Sequence, residues 1–108
     1  MNTGFIIILV TCGARKEASA IAEALLKKRL AACVNITSEI DSKFWWKGKI
    51  DSAKETLVML KTVRANFKKV EAEIKRLHSY EVPEIIAVPI VAGSKEYLSW
   101  IKGVVRTA

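Results

Sequence analysis

The chain has 108 residues, which suits a single domain (residues 1–108) whose core needs no disulfide or metal. Apolar residues make up 51% of it, which excludes a disordered chain, and no apolar run predicts a membrane span or a signal peptide. The net charge is +7, but the basic residues alternate with glutamates along predicted helices, so charge alone does not indicate nucleic-acid binding. We therefore expect a cytoplasmic globular protein without a membrane partner.

The first two predicted elements are a buried strand and an amphipathic helix. Residues 5–10 are a continuous, mostly β-branched apolar run, as in a central strand. Gly13 ends this run, and apolar residues then recur at helical spacing over residues 14–26. We expect the helix to end near Leu30.

Residues 32–63 are predicted to form one long β-hairpin. Apolar and polar residues alternate from Ala32 to Trp46, as in a half-buried strand. Lys47 and Gly48 are a turn signal. The chain then returns through a polar stretch and ends the hairpin in a strongly strand-like segment, residues 56–63.

The last part of the chain predicts a helix, a strand and a second helix. Asn66 is a suitable N-cap for a helix whose apolar residues recur to Leu77. Residues 85–91 are the last predicted strand, and Pro89 within it favours a sheet edge or a bulge. Ser94 is the expected N-cap of a short C-terminal helix.

This order of elements predicts an α+β fold, the ferredoxin-like β-α-β-β-α-β sandwich with a long hairpin and a short C-terminal helix. Right-handed crossovers then require an antiparallel sheet with strand order 4-1-3-2. The fourth strand lies at an edge of this sheet, where a proline is tolerated.

The same topology brings three potential metal ligands to one end of the sheet. Cys12 ends the first strand, His78 ends the second helix and Glu84 begins the last strand. Thiolate, imidazole and carboxylate together suit copper or zinc better than magnesium or calcium. Each residue also has a structural explanation. Cys12 can be a small buried side chain, His78 a cation at a helix end and Glu84 the partner of a lysine. Cys33 lies at the opposite end, so we expect no disulfide between Cys12 and Cys33.

Three adjacent aromatic residues, Phe44, Trp45 and Trp46, precede the hairpin turn. Alternate side chains of a strand point to opposite faces, so a lone subunit cannot bury all three. They indicate either an aromatic cluster over the sheet or, as we predict, a subunit interface with Trp100 as a further anchor.

Two other classes of protein fit the residues less well. An RNA-recognition module needs exposed aromatic residues on its first and third strands, and residues 56–61 contain none. A cysteine enzyme built on Cys12 would have to use the single histidine as its base, with no third group to orient it. We therefore predict no enzyme activity and no nucleic-acid partner.

Five segments together resemble the CutA family of divalent-cation tolerance proteins. They are residues 29–36 (RLAACVNI), 44–50 (FWWKGKI), 61–62 (KT), 78–85 (HSYEVPEI) and 97–101 (YLSWI). The resemblance covers essentially the whole chain in order. Two positions depart from the pattern, because this chain has Ser79 where the family commonly has proline and Phe44 where it commonly has tyrosine.

The resemblance implies a homotrimer of ferredoxin-like subunits, similar in architecture to PII-type signalling proteins. It also implies tolerance to copper and other divalent metal ions, with copper or another divalent metal as the bound ion. The alternative is a PII-like signalling trimer that binds an anionic small molecule in the cleft between subunits.

Overall fold

The computed structural model describes residues 3–107, which form four strands and three α-helices. These are β1 (Phe5–Cys12), α1 (Arg15–Lys27), β2 (Cys33–Trp46), β3 (Lys49–Val63), α2 (Phe67–Leu77), β4 (Ile85–Pro89) and α3 (Lys95–Val104), with a short 3-10 turn before α2. Of the helices described between residues 3 and 107, none is both long and apolar enough to cross a membrane.

The strands form one antiparallel sheet in the order β2-β3-β1-β4. β1 is central and pairs with β3 from Phe5 to Cys12 and with β4 from Ile6 to Val10. Pro89 lies in β4, at the edge of the sheet, where a missing backbone N–H removes no bond to a further strand. The predicted ferredoxin-like topology and strand order are confirmed.

The core lies between one face of the sheet and the helices α1 and α2. Alternate residues of β1 and β3 point toward the helices, and both helices contribute apolar side chains to the same cluster. Its fully buried members include Ile8, Val10, Cys12, Ile21, Leu25, Val58, Leu60, Val70 and Ile74. The burial of these side chains is the main favourable contribution to folding.

The opposite face of the sheet, which we call the open face, is apolar and only partly covered. It carries the other alternate residues of β1, β3 and β4, of which Ile86 and Val88 are exposed. α3 packs against β3 through its one buried residue, Ile101. An apolar surface of this kind typically marks an interaction site.

β2 and β3 extend beyond the rest of the sheet as a two-stranded ribbon, residues 40–55. The last pair between β1 and β3 is Cys12 with Thr56, so the ribbon residues of β3 pair with β2 alone. Lys47 and Gly48 both have positive φ angles, as a two-residue hairpin turn of type I′ requires. The predicted hairpin and its turn are confirmed.

Helix α1 ends at Lys27, earlier than predicted, because Arg29 adopts a left-handed conformation with φ 56°. The N–H of Leu30 donates to the carbonyl of Leu25 and that of Arg29 to the carbonyl of Leu26. This pattern is a Schellman motif, which usually has glycine at the left-handed position. The sequence gives no such signal here.

The two predicted N-caps differ in outcome. Ser94 caps α3, since its side chain accepts a hydrogen bond from the N–H of Tyr97. Asn66 occupies the predicted N-cap position of α2, but its side chain makes no capping hydrogen bond. Its buried amide instead donates to the carbonyl of Leu30 and the hydroxyl of Thr62. The 3-10 turn before α2 directs the side chain of Asn66 inward.

Glu73 on α2 joins the two helices electrostatically. Its carboxylate is 8% exposed and accepts hydrogen bonds from Arg76 at 2.7 Å and from Lys28 of the α1 end at 2.9 Å. The hydrogen bond from Arg76 and then that from Lys28 lower the pKa of Glu73 from 4.5 to about 2. The carboxylate therefore stabilises the folded state most above pH 4.5, and this contribution falls as the pH drops toward 2.

We expect Glu73→Gln to lower the free energy of unfolding at pH 7 but to have little effect near pH 2. The full shift would correspond to about 3 kcal/mol, and screening of the two exposed cations reduces our expectation to about 1–2 kcal/mol. Denaturant unfolding at pH 7, 4 and 2.5 measures this. Glu71→Gln on the same helix is the matched control, because Glu71 makes only an i,i+4 pair with Lys75. Parallel pH profiles for wild type and Glu73→Gln would contradict the assignment.

Candidate metal centre and adjoining cleft

Three potential metal ligands meet at the end of the sheet where β1 stops. Cys12 is the last residue of β1, Glu17 lies in the first turn of α1, and His78 directly follows α2. One ligand atom from each lies within 4.8 Å of the others. The topology thus brings Cys12 and His78 together as predicted, with Glu17 as the carboxylate beside them.

The hydrogen bonds of His78 determine which ring nitrogen can bind a metal. Nε2 lies 2.7 Å from the carbonyl oxygen of Thr11, which can only accept, so Nε2 carries the proton and donates. Nδ1 then holds the lone pair, accepts from the N–H of Tyr80 at 3.1 Å and lies 3.5 Å from Glu17 Oε2. A ligand histidine that donates its other N–H to a backbone carbonyl is a common arrangement in metal sites.

Cys12 lies in a negative, buried environment. Burial raises the pKa of its thiol to about 11, and the carboxylates of Glu17 and Glu55 add to the effect. The thiol is therefore protonated near neutral pH. A bound cation would reverse this, because its charge favours the thiolate.

Ser79 holds the carboxylate of Glu17 in place. Its N–H donates to Oε1 at 3.1 Å and its hydroxyl to Oε2 at 3.3 Å. Proline at this position would lack both donors. The departure from the family pattern therefore ties the loop after α2 to α1.

Glu17 was not among the metal ligands predicted from the sequence. Its proximity to Cys12 arises from the turn at Gly13 and Ala14, which sets the first turn of α1 beside the end of β1. The available signal was its acidic side chain in the first turn of a helix, and that position is also common without any ligand.

Glu84 is not part of this group. Ile85, the next residue, pairs with Val10 and packs on the core side of the sheet. Successive side chains alternate between faces, so Glu84 points to the open face, where it is exposed and lines a cleft. The predicted trio of Cys12, His78 and Glu84 thus shares one end of the sheet but not one face.

The cleft that Glu84 lines has a volume of about 760 Å³. It lies between the ribbon and the loop after α2. Its lining residues are Thr11, Ser42, Lys43, Phe44, Trp46, Asp51, Ser52, Ala53, Glu55, Tyr80, Glu81, Val82, Pro83 and Glu84.

Tyr80 connects this cleft to the metal-ligand group. Its ring lies 4.7 Å from the ring of His78, and its hydroxyl donates to Glu55 Oε2 at 2.8 Å. Burial and then this hydrogen bond raise the pKa of Tyr80 to about 12, so the hydroxyl remains a donor. A Cβ at position 13 would lie 3.0 Å from the Tyr80 hydroxyl, so a larger residue there would press on Tyr80.

The four aromatic residues predicted at an interface are all exposed in the single chain. Phe44 and Trp46 line the cleft, and Trp45 on the other face of the ribbon is 72% exposed. Trp100 lies against Tyr97 of α3, with ring centroids 5.5 Å apart. Their role at a subunit interface stays a prediction.

Comparison with known proteins points to one family. The family profile described as "CutA1 divalent ion tolerance protein" matches residues 6–104. The divalent-cation tolerance protein CutA of Archaeoglobus fulgidus is 49% identical over 94 residues, which is 87% of this chain and 91% of that protein. The protein of the same name from Thermus thermophilus is 42% identical over 96 residues, 89% of this chain and 93% of that protein.

A solved structure agrees with these relatives. It is the structure of the periplasmic divalent cation tolerance protein CutA from Archaeoglobus fulgidus, and it superposes with a TM-score of 0.92 at 46% identity. The match covers 94% of this chain and 99% of that one.

Proposed function

Because the chain belongs to the CutA1 family of divalent ion tolerance proteins, we propose that it binds copper or another divalent metal ion as a homotrimer. The residues that would hold the metal are Cys12, Glu17 and His78. One observation carries this proposal: a sulfur, an oxygen and a nitrogen donor lie within 4.8 Å of one another. We treat the whole chain, residues 1–108, as one functional domain.

The donor set suits a soft or borderline metal ion. Thiolate selects copper or zinc over magnesium and calcium, and copper heads the affinity order of the divalent first-row metals. The metal would supply the charge that offsets Glu17 and stabilises the Cys12 thiolate. Binding must therefore release the thiol proton, and Nδ1 of His78 must exchange its hydrogen bond from Tyr80 for the metal.

We expect one copper ion per chain in the wild type and at least about tenfold weaker binding in Cys12→Ala and in His78→Ala. An anaerobic titration against a chromophoric copper chelator measures both affinity and stoichiometry. Cys33→Ala is the matched cysteine control, since Cys33 is the other free thiol and lies at the far end of β2.

Two further variants separate the candidate carboxylates. Glu17→Gln should weaken copper binding, whereas Glu84→Gln should not. The reverse result would restore the ligand set expected from sequence. Unchanged binding in both Cys12→Ala and His78→Ala would place the metal elsewhere.

The homotrimer is supported by the surface of the single chain. The open face exposes apolar side chains of β4, and the ribbon exposes Trp45 and Trp46. β2 and β4 are both edge strands with one unpaired side within the described sheet. Apolar faces and open edges are surfaces that a second copy can cover.

We also propose that the protein has no catalytic turnover. The thiol of Cys12 is fully buried with a raised pKa, which disfavours a nucleophile. Both ring nitrogens of His78 already have hydrogen-bond partners. A hydrolase or transferase activity that Cys12→Ala abolishes would contradict this.

The PII-like alternative is an anionic small molecule in the cleft between subunits, and the basic surplus of the chain supports it. The cleft beside the ribbon lies within one chain and has the opposite charge. Four carboxylates and one lysine line it. A small anion would therefore meet net negative charge.

A cytoplasmic location remains our proposal. Both cysteines are free, which suits a reducing compartment. The solved Archaeoglobus relative is described as periplasmic, so cell fractionation is the direct test. Recovery of the chain only outside the cytoplasm would contradict the proposal.

A further inference from the structure

We propose that Tyr80 controls access to the metal ligands: it holds the loop after α2 closed in the metal-free chain and must release His78 before a metal can bind. We call Tyr80 and its hydrogen bond to Glu55 the Tyr80 latch. The inference rests on the proposed function, because it concerns the same ligands, and it adds how they are regulated. It depends on the bonds at both ends of Tyr80 and on the scarcity of other bonds to the loop.

The backbone N–H of Tyr80 occupies the one lone pair of His78 that a metal can use. It donates to Nδ1 at 3.1 Å, while Nε2 carries the proton and lies 2.7 Å from the carbonyl oxygen of Thr11. The side chain of His78 is 0% exposed, and a closely packed ring cannot easily turn to present its other nitrogen. Nδ1 is therefore free for a metal only after the Tyr80 N–H has moved away.

The surroundings of Nδ1 favour a cation over the N–H that is there now. Nδ1 of His78 and Oε2 of Glu17 lie 3.5 Å apart, and both are acceptors. The N–H of Tyr80 offsets their repulsion through a partial charge, whereas a divalent ion would offset it more strongly. The closed loop and the metal-bound site are thus alternative ways to satisfy the same nitrogen.

A second hydrogen bond fixes Tyr80 in the closed position. Its hydroxyl donates to Oε2 of Glu55 at 2.8 Å, and Glu55 is 6% exposed in β3. The ring of Tyr80 also lies against that of His78, with centroids 4.7 Å apart. Hydrogen bonds to a charged group stabilise more than neutral ones do. Because the N–H cannot leave Nδ1 without displacing Tyr80, the bond to Glu55 opposes metal binding.

The loop has few other bonds that keep it closed. Residues 79–83 belong to no helix or strand, and between residues 3 and 107 no backbone–backbone hydrogen bond of a turn or loop involves them. Their hydrogen bonds in this part of the chain are the two of Tyr80 and the two from Ser79 to Glu17. Loss of the Tyr80–Glu55 bond therefore frees the loop at Tyr80, while Ser79 still holds the ligand carboxylate.

Tyr80→Phe tests the latch without changing any charge. It removes the hydroxyl but keeps the N–H and the ring, so the closed loop is no longer stabilised by Glu55. Since opening then costs less, we expect zinc to bind about three- to tenfold more tightly than to the wild type. Competition with a chromophoric chelator measures this, and zinc is chosen because it does not oxidise the thiol of Cys12. A merely structural role for Tyr80 predicts the opposite sign, weaker binding.

Two variants serve as controls. Tyr97→Phe removes the hydroxyl of the chain's other tyrosine, which lies on α3, and it should bind zinc as the wild type does. Cys12→Ala combined with Tyr80→Phe should bind zinc as weakly as Cys12→Ala alone. That result would show that the tighter binding arises at the proposed metal ligands.

Amide hydrogen exchange followed by NMR reports on the loop itself. In the wild type, saturation with zinc should accelerate exchange of the Tyr80 amide at least about tenfold, because this N–H loses its acceptor. The amides of β1 should stay protected. In the metal-free protein, Tyr80→Phe should accelerate exchange over residues 79–83, and Tyr97→Phe should not. The first measurement needs no variant and the second needs no metal.

The outcomes separate this inference from the proposed function. If Cys12→Ala abolishes zinc binding but Tyr80→Phe binds equally or more weakly than the wild type, only the latch is overturned. A Tyr80 amide that keeps its slow exchange in the zinc-saturated wild type would also overturn only the latch. A wild type that binds neither zinc nor copper would overturn the proposed function and the latch together.

Discussion

Replacing both Trp45 and Trp46 by alanine should convert the proposed trimer into monomers at micromolar concentration. The two indole rings lie on opposite faces of a ribbon that has no other strand beside it. Trp45 is 72% exposed in the single chain, a large apolar area to leave in water. Tryptophan anchors in an interface contribute about 2–4 kcal/mol each, and every chain would lose two.

Sedimentation equilibrium measures this change as a mass. The wild type should give about three times the chain mass of 12.0 kDa, and the double variant about one chain mass. Leu26→Ala is the control, since Leu26 is also an exposed apolar residue but lies on the helix layer. A monomeric wild type would contradict the proposed homotrimer. A trimeric double variant would contradict only the proposed role of the tryptophans as anchors.

Leu25→Ala should lower the free energy of unfolding by about 3 kcal/mol, and Leu26→Ala by about 1 kcal/mol or less. The two leucines are neighbours on α1, so both variants change helix propensity equally. Leu25 is 0% exposed and belongs to the core cluster, whereas Leu26 is 40% exposed. The difference between the two losses of unfolding free energy therefore measures the cost of the cavity and of the lost apolar burial at Leu25.

Denaturant unfolding at one fixed protein concentration tests this pair. The concentration must be held constant because assembly stabilises the folded chain by mass action. Equal losses in the two variants would show that the side of α1 facing β1 is not the main core.

The fold was predictable because local pattern and chain topology agree. The uninterrupted apolar run that became β1 predicts a central strand with apolar side chains on both faces, and β1 is central, with one face on the helices and the other on the open face. Pro89 independently favoured an edge position or a bulge, and the structure places it in an edge strand. The end of α1 was not predictable, since Arg29 takes a left-handed conformation that its side chain does not favour.

The candidate site was predictable only in part. Topology places Cys12 and His78 at one end of the sheet, and that needs no knowledge of side-chain direction. Whether Glu84 joins them depends on which face it points to, and this follows from the pairing of Ile85 with Val10. Pairing register between distant strands is not visible in a single sequence. Glu17 was missed because its position depends on the geometry of the turn at Gly13 and Ala14, which a single sequence does not reveal either.

β2 has an irregularity between Ile36 and Glu39. It makes the number of residues in this strand decisive for which side chains face the cleft. Ile36 pairs with Val58 and Glu39 with Thr56, so β2 contains one residue more than β3 over this stretch. The extra residue inverts the alternation of every side chain beyond it, which is why Phe44 and Trp46 face the cleft. Loss of one residue at this point would turn Trp45 inward and the other two aromatics away. An insertion or deletion of a single residue in this part of β2 would therefore have to be matched by another to keep the same surface.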